Sequence, residues 1–162
     1  MPVGGTWGKF LHVDLNDGHH WVEEPPDELY IKLVGGRALV AYVLLRDLPV
    51  GADPLGPDNI LIFAPGILQG TNLPGSGRHG VGAKSPLTGA IASSEAGGWW
   101  GHEFKRAGFD ALIVKGKSEE PVYLWIKDGV VDARSAAHLW GKDTADVEWA
   151  IQEELGDKRL KV

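Results

Sequence analysis

The sequence contains no cysteine among its 162 residues and a single methionine. Without cysteine, these residues cannot form a disulfide, hold an iron–sulfur cluster through thiolates or supply a thiol nucleophile. No apolar run approaches the ~18 residues that a membrane-spanning helix requires, and the N-terminus lacks the apolar segment of a secretory signal. We therefore expect a cytoplasmic protein that does not bind a membrane.

Positive charge is in deficit, since 16 Lys and Arg residues face 22 Asp and Glu residues for a net charge of −6. This balance disfavours a general surface for nucleic acid or anionic lipid. An apolar content of 43% over 162 residues predicts a single domain, 1–162, with its own core. Tryptophan is abundant, with seven residues, and we expect most of them to anchor the core and the loops.

The order of secondary-structure signals predicts an α+β fold of mixed sheets with hairpins and a few helices. Asn16, Asp17 and Gly18 are typical of a hairpin turn between two short strands at 9–15 and 20–23. Further strands are predicted at 60–64, 79–83, 90–94, 110–115, 121–127, 130–133 and 158–162, and helices at 27–34, 37–48, 99–107 and 143–155. Hairpins mixed with helices favour α+β over a doubly wound parallel sheet.

The stretch from residue 64 to residue 101 holds ten of the 23 glycines. Glycine permits positive φ and close approach of the backbone to a ligand. The stretch is too irregular for one element and too rich in short apolar pieces for a flexible linker, so we predict a cradle of tight loops and short strands. Its basic residues, Arg78, His79 and Lys84, indicate an anionic ligand, with phosphate as the usual candidate.

Two places in this cradle are the most informative. Arg78 lies among glycines, where its donors either contact an anionic ligand such as a phosphate, or pin loop carbonyls or a carboxylate. Lys84 precedes Ser-Pro and is more typical of a solvated turn. In the run SSEAGGWW at 93–100, the glycine pair permits close approach and the tryptophans offer flat walls; the alternative is a strand-to-helix turn with tryptophan packed in the core.

Other motifs are disfavoured by their context. The residues from Gly75 to Gly80 match G-x-G-x-x-G, but Gly82 and Pro86 follow, so no helix can present its amides to a pyrophosphate. None of the six histidines has the spacing of a metal-binding motif, and no serine lies in a nucleophile elbow. The sequence therefore predicts no catalytic residue in this chain.

The chain resembles the N-terminal domain of the tungsten-containing aldehyde ferredoxin oxidoreductase family over nearly its whole length. The matching pieces are WGKFLHVDL, VGGRALVAYVLL, APGILQGTNLPGSGRHGVGAKSPLTG, SEAGGWWGHEFKRAGFDALIVKGK and HLWGKDT. The resemblance implies a two-pterin tungsten cofactor (tungstopterin, bis-molybdopterin) resting on this domain. It also implies oxidation of aldehydes to carboxylic acids, with electrons passed through an iron–sulfur cluster to ferredoxin.

The resemblance assigns three cofactor-binding residues. Arg78 matches an arginine that contacts the pterin cofactor, and Gly97 matches a cofactor-contacting glycine. Glu95 stands where the best-known members carry Asn, whose backbone carbonyl helps to hold a magnesium ion between the two pterin phosphates. A carbonyl contact survives this replacement, whereas the added carboxylate would either repel phosphate or join the coordination shell of the ion.

The resemblance also implies that the chain acts with other parts. In the family, helical domains hold the cluster cysteines and the residues around the aldehyde, so we expect these 162 residues to be inactive alone. A second subunit carrying the iron–sulfur domains, ferredoxin and a second copy of the chain are the expected partners. Two alternatives stay open: a stand-alone pterin-cofactor binding or assembly module without catalysis, and a remnant that folds but binds nothing.

Overall fold

A computed structural model describes residues 3–162. Its helices are α1 (Asp27–Leu33), α2 (Gly36–Asp47), α3 (Trp100–Arg106) and α4 (Thr144–Leu155). Its strands are β1 (Phe10–Asp14), β2 (His20–Glu23), β3 (Leu61–Pro65), β4 (His79–Lys84), β5 (Ile91–Ala96), β6 (Ala111–Lys115), β7 (Val122–Lys127) and β8 (Val130–Ser135). The prediction of an α+β fold with mixed sheets is confirmed.

Six strands form one sheet in the order β2-β1-β6-β3-β4-β5, and β7 and β8 form a separate hairpin. Within the large sheet, β1 and β6 are parallel, with Phe10 opposite Ala111, and the other neighbouring strands are antiparallel. Strand β6 therefore joins the β1–β2 hairpin to the β3–β4–β5 meander, and β5 lies at the edge.

Side chains alternate between the two faces of this sheet, and each face packs against its own hydrophobic core. On the first face, Ile62 and Ile113 pack with Leu39, Val40 and other buried residues of α1 and α2. We call this the α2 face. On the opposite face, the next residues along the strands, such as Leu112, pack with Phe104 and Phe109 around α3. We call this the α3 face.

The α3 face is only partly covered. An open apolar groove of about 760 Å³ lies between this face, the β7 strand and the segment 157–162. Helix α4 packs beside the β7–β8 hairpin through a small core of Ala136, Leu139 and Ile151. The two sides of the sheet thus differ, with helices α1 and α2 packed over the middle of the α2 face and an open groove on the α3 face, while edge strand β5 stays exposed.

The predicted strand at 158–162 is wrong. Helix α4 ends at Leu155, and Gly156 adopts positive φ at its C-cap, after which the chain forms a turn and an irregular segment. The side-chain amide of Gln152 donates to the carbonyl of Leu160 at 3.0 Å. This bond folds the segment back along the helix, so it presents no open strand edge.

Most tryptophans were expected to anchor the core and the loops, and the core part of this expectation is wrong, because none of the seven is fully buried. Trp100 and Trp125 are half-buried, whereas the other five expose between 39% and 78% of their surface. One exposed indole still anchors a loop, because Trp7 donates its N–H to the carbonyl of Lys105 at 2.5 Å.

Candidate functional site

The glycine-rich stretch forms loops and two strands, as predicted, and its first loop ends where β4 begins. The end of β3 and the end of β5 lie beside the beginning of β4, because both pair with β4 in antiparallel fashion. Pro65 is opposite His79, and Ala96 is opposite His79 from the other side. We call this place the strand end.

The pairing register brings the three predicted site residues together at the strand end. Glu95 lies directly opposite Gly80. Continuing the same register by one residue sets Arg78 opposite Gly97. Residues 78, 80, 95 and 97 then share one face of the sheet, since side chains alternate along a strand. This is the α2 face, because a Cβ on Gly80 would meet the backbone of α2, 3.1 Å from the nitrogen of Arg37.

Helix α2 begins over the strand end because glycines allow the backbones to touch. Gly35 forms an isolated bridge with Gly66 and has φ of 80°, and a Cβ there would lie 2.6 Å from the carbonyl oxygen of Pro65. A residue with a side chain cannot occupy that position without moving the strand. The contact fixes the first turn of α2, and with it Arg37, against the ends of β3 and β4.

Arg37 and Glu95 form an ion pair across this face, with 3.1 Å between guanidinium and carboxylate and with side chains 62% and 39% exposed. Such an exposed pair adds little to stability. Its importance is local, because it places a carboxylate and a second guanidinium beside the predicted anion site. The sequence analysis missed Arg37; the available signal was the glycine pair directly before it, which allows α2 to begin against the strand ends.

The Arg78 side chain is exposed, and within residues 3–162 its guanidinium forms no ion pair or hydrogen bond. Its backbone carbonyl accepts from Gly66 at 3.4 Å. The alternative in which the Arg78 side chain pins a loop carbonyl or a carboxylate therefore finds no support in the described part of the chain. Five donors of this guanidinium remain available to a ligand.

The space beside Arg78 is open. A Cβ on Gly97 would meet one neighbour, the carbonyl oxygen of Gly77 at 3.8 Å, and a Cβ on Gly75 or Gly98 would meet nothing within 4 Å. Glycines without a neighbour over their Cα atoms leave room for a ligand to approach the backbone.

The aromatic residues of the strand end divide between the two faces. Trp100 packs on the α3 face against Phe104, with ring centroids 5.2 Å apart, and against His79 at 5.0 Å. Burial lowers the pKa of His79, so its imidazole is neutral at pH 7 and adds no charge for an anion. Trp99 is 60% exposed. Of the two tryptophans that were predicted to offer flat walls, Trp100 packs against the core of the α3 face and Trp99 faces outward.

Lys84 does not join the site, because it ends β4 at the opposite end of the strand and its ammonium donates to the carbonyl of Ala52. Across residues 3–162, no three His, Asp or Glu side chains are grouped so that they could hold a metal ion. None of the helices in this part of the chain is long and apolar enough to cross a membrane.

Comparisons with known proteins agree with this fold and place the chain in a family. The family described as "Aldehyde ferredoxin oxidoreductase, N-terminal domain" matches residues 10–162. A tungsten-containing aldehyde ferredoxin oxidoreductase of Thermococcus kodakarensis is 49% identical over 158 residues, which cover 98% of this chain and 26% of that protein. The corresponding protein of Pyrococcus furiosus is 46% identical over the same shares.

A solved structure shares the fold closely. The active-site complex BamBC of benzoyl coenzyme A reductase, in complex with 1,5-dienoyl-CoA, superposes with a TM-score of 0.92 at 37% identity, over 96% of this chain and 24% of that one. The fold is thus that of the N-terminal domain of an oxidoreductase family. The chain belongs to the aldehyde ferredoxin oxidoreductase family, and it spans about a quarter of the length of the curated relatives it matches.

Proposed function

We propose that this domain is a platform for a tungstopterin cofactor of the bis-molybdopterin type in an aldehyde:ferredoxin oxidoreductase. Arg78, Gly97 and Glu95 are its cofactor-binding residues. The observation that carries the proposal is the exposed Arg78 guanidinium, which lacks a partner among residues 3–162 and lies opposite Gly97 at an open glycine-lined strand end. The names of the relatives, which are tungsten-containing, support the choice of cofactor.

The residues at the strand end fit a phosphate-bearing ligand. A guanidinium binds phosphate through charge-assisted and often bidentate hydrogen bonds. The Arg78 side chain is exposed and can reach such a ligand. The open space over Gly97 lets the backbone approach the same group. The pterin phosphates would thus rest on the beginning of β4 and the end of β5.

Glu95 decides how a magnesium ion would bind. Its carboxylate is held by Arg37 and stands on the face that would receive phosphate. A carboxylate repels a phosphate unless a cation lies between them. We propose that the backbone carbonyl of Glu95 contacts magnesium, as in the family, and that its carboxylate turns from repulsive to attractive when the ion is present.

When bound, the tungsten centre supplies two-electron chemistry, by which an aldehyde and water become a carboxylic acid with release of two protons and two electrons. Residues of this chain hold and orient the cofactor in this proposal and carry no catalytic role. An iron–sulfur cluster that passes the electrons to ferredoxin would be held by cysteines outside this sequence, for example on a second subunit, because these 162 residues include none.

The test is cofactor retention. The chain is produced in a host that makes molybdopterin, with tungstate supplied, and bound pterin is measured by the fluorescence of its oxidised form and tungsten by mass spectrometry. Loss of a charge-assisted contact costs about 1.5–3 kcal/mol, so Arg78→Ala should weaken retention by roughly ten- to a hundredfold.

Arg159→Ala is the matched control, because Arg159 is exposed and pairs with Asp157, beyond the end of α4. Its pterin content should equal that of the wild type. Equal retention by wild type and Arg78→Ala, or no pterin on the wild type, would refute the proposed site.

A further inference from the structure

His102, on α3, has one ring nitrogen fixed by the cradle loop. The backbone N–H of Gly70 donates to its Nδ1 at 3.0 Å. Since a backbone N–H only donates, Nδ1 must be the acceptor, and in a neutral imidazole the other nitrogen, Nε2, then carries the proton. The loop therefore sets the tautomer of His102 and makes Nε2 a hydrogen-bond donor.

That donor lies beside the glycines of the strand end. Nε2 of His102 is 3.5 Å from the position that a Cβ would take on Gly77, and the carbonyl oxygen of Gly77 is 3.8 Å from the corresponding position on Gly97. Gly77 thus lies between the imidazole and Gly97. Any side chain at position 77 would stand in front of Nε2, so glycine leaves the donor open to the site.

The orientation of the ring is held from two directions. The Gly70 bond fixes one edge, and the indole of Trp99 lies beside the ring, with centroids 5.7 Å apart and planes at 49°. His102 is half-buried, and among residues 3–162 the one hydrogen bond of its ring is the bond that Nδ1 accepts from Gly70. A donor with a fixed direction and no acceptor is what a binding site for an oxyanion requires.

We propose that His102 binds the same ligand as Arg78, donating its Nε2–H to a phosphate oxygen of the group seated on Gly77 and Gly97. This inference rests on the proposed function and adds a residue to its site. Arg78 would supply charge from the α2 face of the sheet, and His102, on α3 at the opposite face, would supply a directed donor past Gly77 at the beginning of β4. A phosphate at the strand end is then held from two elements instead of one.

The tautomer and the contact are both visible by NMR of the 162-residue chain with labelled histidine. Before ligand is added, the ¹⁵N shifts of His102 should show a protonated Nε2 and an unprotonated Nδ1. Inorganic pyrophosphate, used as the probe, should move the Nε2 signal of His102 and leave that of His20 in place. His20 is a matched reference because it lies on β2, at the opposite edge of the sheet.

Variants measure the contribution to binding by titration calorimetry with pyrophosphate. His102→Phe keeps a ring beside Trp99 but removes both nitrogens, and should weaken binding by about three- to tenfold, which is the loss of one hydrogen bond to a charged group at a solvent-facing site. His102→Gln can still place an amide donor near Nε2 and should weaken binding less. His20→Phe should bind as the wild type does.

The outcomes separate the two proposals. Binding that is weakened by Arg78→Ala but unchanged by His102→Phe, with an immobile Nε2 signal, would overturn the role of His102 and leave the platform intact. Absence of pyrophosphate binding by the wild type would refute both. A protonated Nδ1 in the free chain would also overturn the role of His102, because the donor would then point away from the glycines.

Discussion

Glycine has opposite roles within strand β4 and directly after strand β5. Within the strand, a Cβ on Gly82 would lie 2.3 Å from a methyl carbon of Val40 and 2.8 Å from the carbonyl oxygen of Ala92. At the strand end, a Cβ on Gly97 would have a single neighbour, at 3.8 Å. The space that a side chain would fill is occupied by Val40 of α2 at Gly82 and is open at Gly97.

This difference shows that glycine content alone does not mark a binding surface. The sequence analysis treats the ten glycines between residues 64 and 101 as one cradle, but Gly80 and Gly82 allow helix α2 to pack directly on the sheet. The glycines at the strand end, Gly75, Gly97 and Gly98, have no neighbour closer than 3.8 Å over the Cα atom and remain open to a ligand, and Gly89 in the turn between β4 and β5 is open as well. The two groups are distinguished by what lies above the Cα atom, which depends on residues about 40 positions away in α2.

Alanine substitutions at Gly82 and at Gly97 test the difference between a packed and an open glycine. Gly82→Ala forces Val40 and the β5 backbone to move, and overpacking of this kind costs about 1–3 kcal/mol. Gly97→Ala places the same methyl group in open space without positive φ, so its effect should stay within about 0.5 kcal/mol. Denaturant unfolding of both variants and the wild type measures the difference.

Equal stability of the two variants would mean that α2 does not pack on β4 as described. A large loss from Gly97→Ala would show that the strand end is filled by protein, which would contradict an open site.

Removing the carboxylate of Glu95 tests the electrostatics of the strand end, and its expected effect is smaller. Glu95→Gln leaves the backbone carbonyl in place and frees Arg37 from its ion pair. Phosphate binding without magnesium should then strengthen by about three- to tenfold, because a repulsive charge is lost and a guanidinium is released. The free energy of unfolding should change by less than about 1 kcal/mol, since the pair is exposed.

Calorimetric titration with pyrophosphate, with and without magnesium, measures this effect. The benefit should shrink or reverse when magnesium is present, because the carboxylate then attracts the ion. A Glu95→Gln chain that binds phosphate as weakly as the wild type in both conditions would contradict the electrostatic role of Glu95.

The smallest expected effect is a pH dependence of stability that arises at His79. Burial lowers its pKa in the folded chain below the ordinary histidine value of 6.5, so the unfolded chain binds the proton more readily. The contribution of His79 to stability is therefore complete above about pH 6.5 and is lost as the pH falls through the folded pKa. Burial also lowers the pKa of His12, at the far side of the sheet, with the same sign.

Thermal melts between pH 8 and pH 5 check this dependence. His79→Leu should lose less stability on acidification than the wild type, and His20→Leu should follow the wild type. A steeper acid loss in His79→Leu than in the wild type would contradict a buried neutral imidazole at the start of β4.

Much of the secondary structure could be predicted because its signals are local. The second strand was predicted with the observed bounds, His20–Glu23, since a turn signal precedes it and prolines follow. The last helix has Asp143 as its N-cap, whose carboxylate accepts from the amide of Asp146, and Gly156 ends it. Each of these features depends on residues within one or two turns of each other.

The features that were missed depend on distant partners. The strand predicted at 158–162 fails because Gln152 binds the chain back on α4, a contact that no alternation pattern contains. Arg37 meets Glu95 only because α2 crosses the ends of β3 and β4. The direction of the His102 donor likewise depends on a loop amide 32 residues earlier. The cofactor roles of Arg78, Glu95 and Gly97 stay predictions.

The central position of β6 delays folding during synthesis. β6 is the shared neighbour of β1 and β3, yet it ends at Lys115 of a 162-residue chain. At 5–20 residues per second, roughly 5–20 s separate the emergence of β1 from that of its parallel partner. Contacts of such long sequence separation also slow folding. During that interval the apolar residues of β1 stay unpaired and are available to chaperones. The yield of folded domain should therefore depend on chaperones more strongly than is usual for a domain of this size.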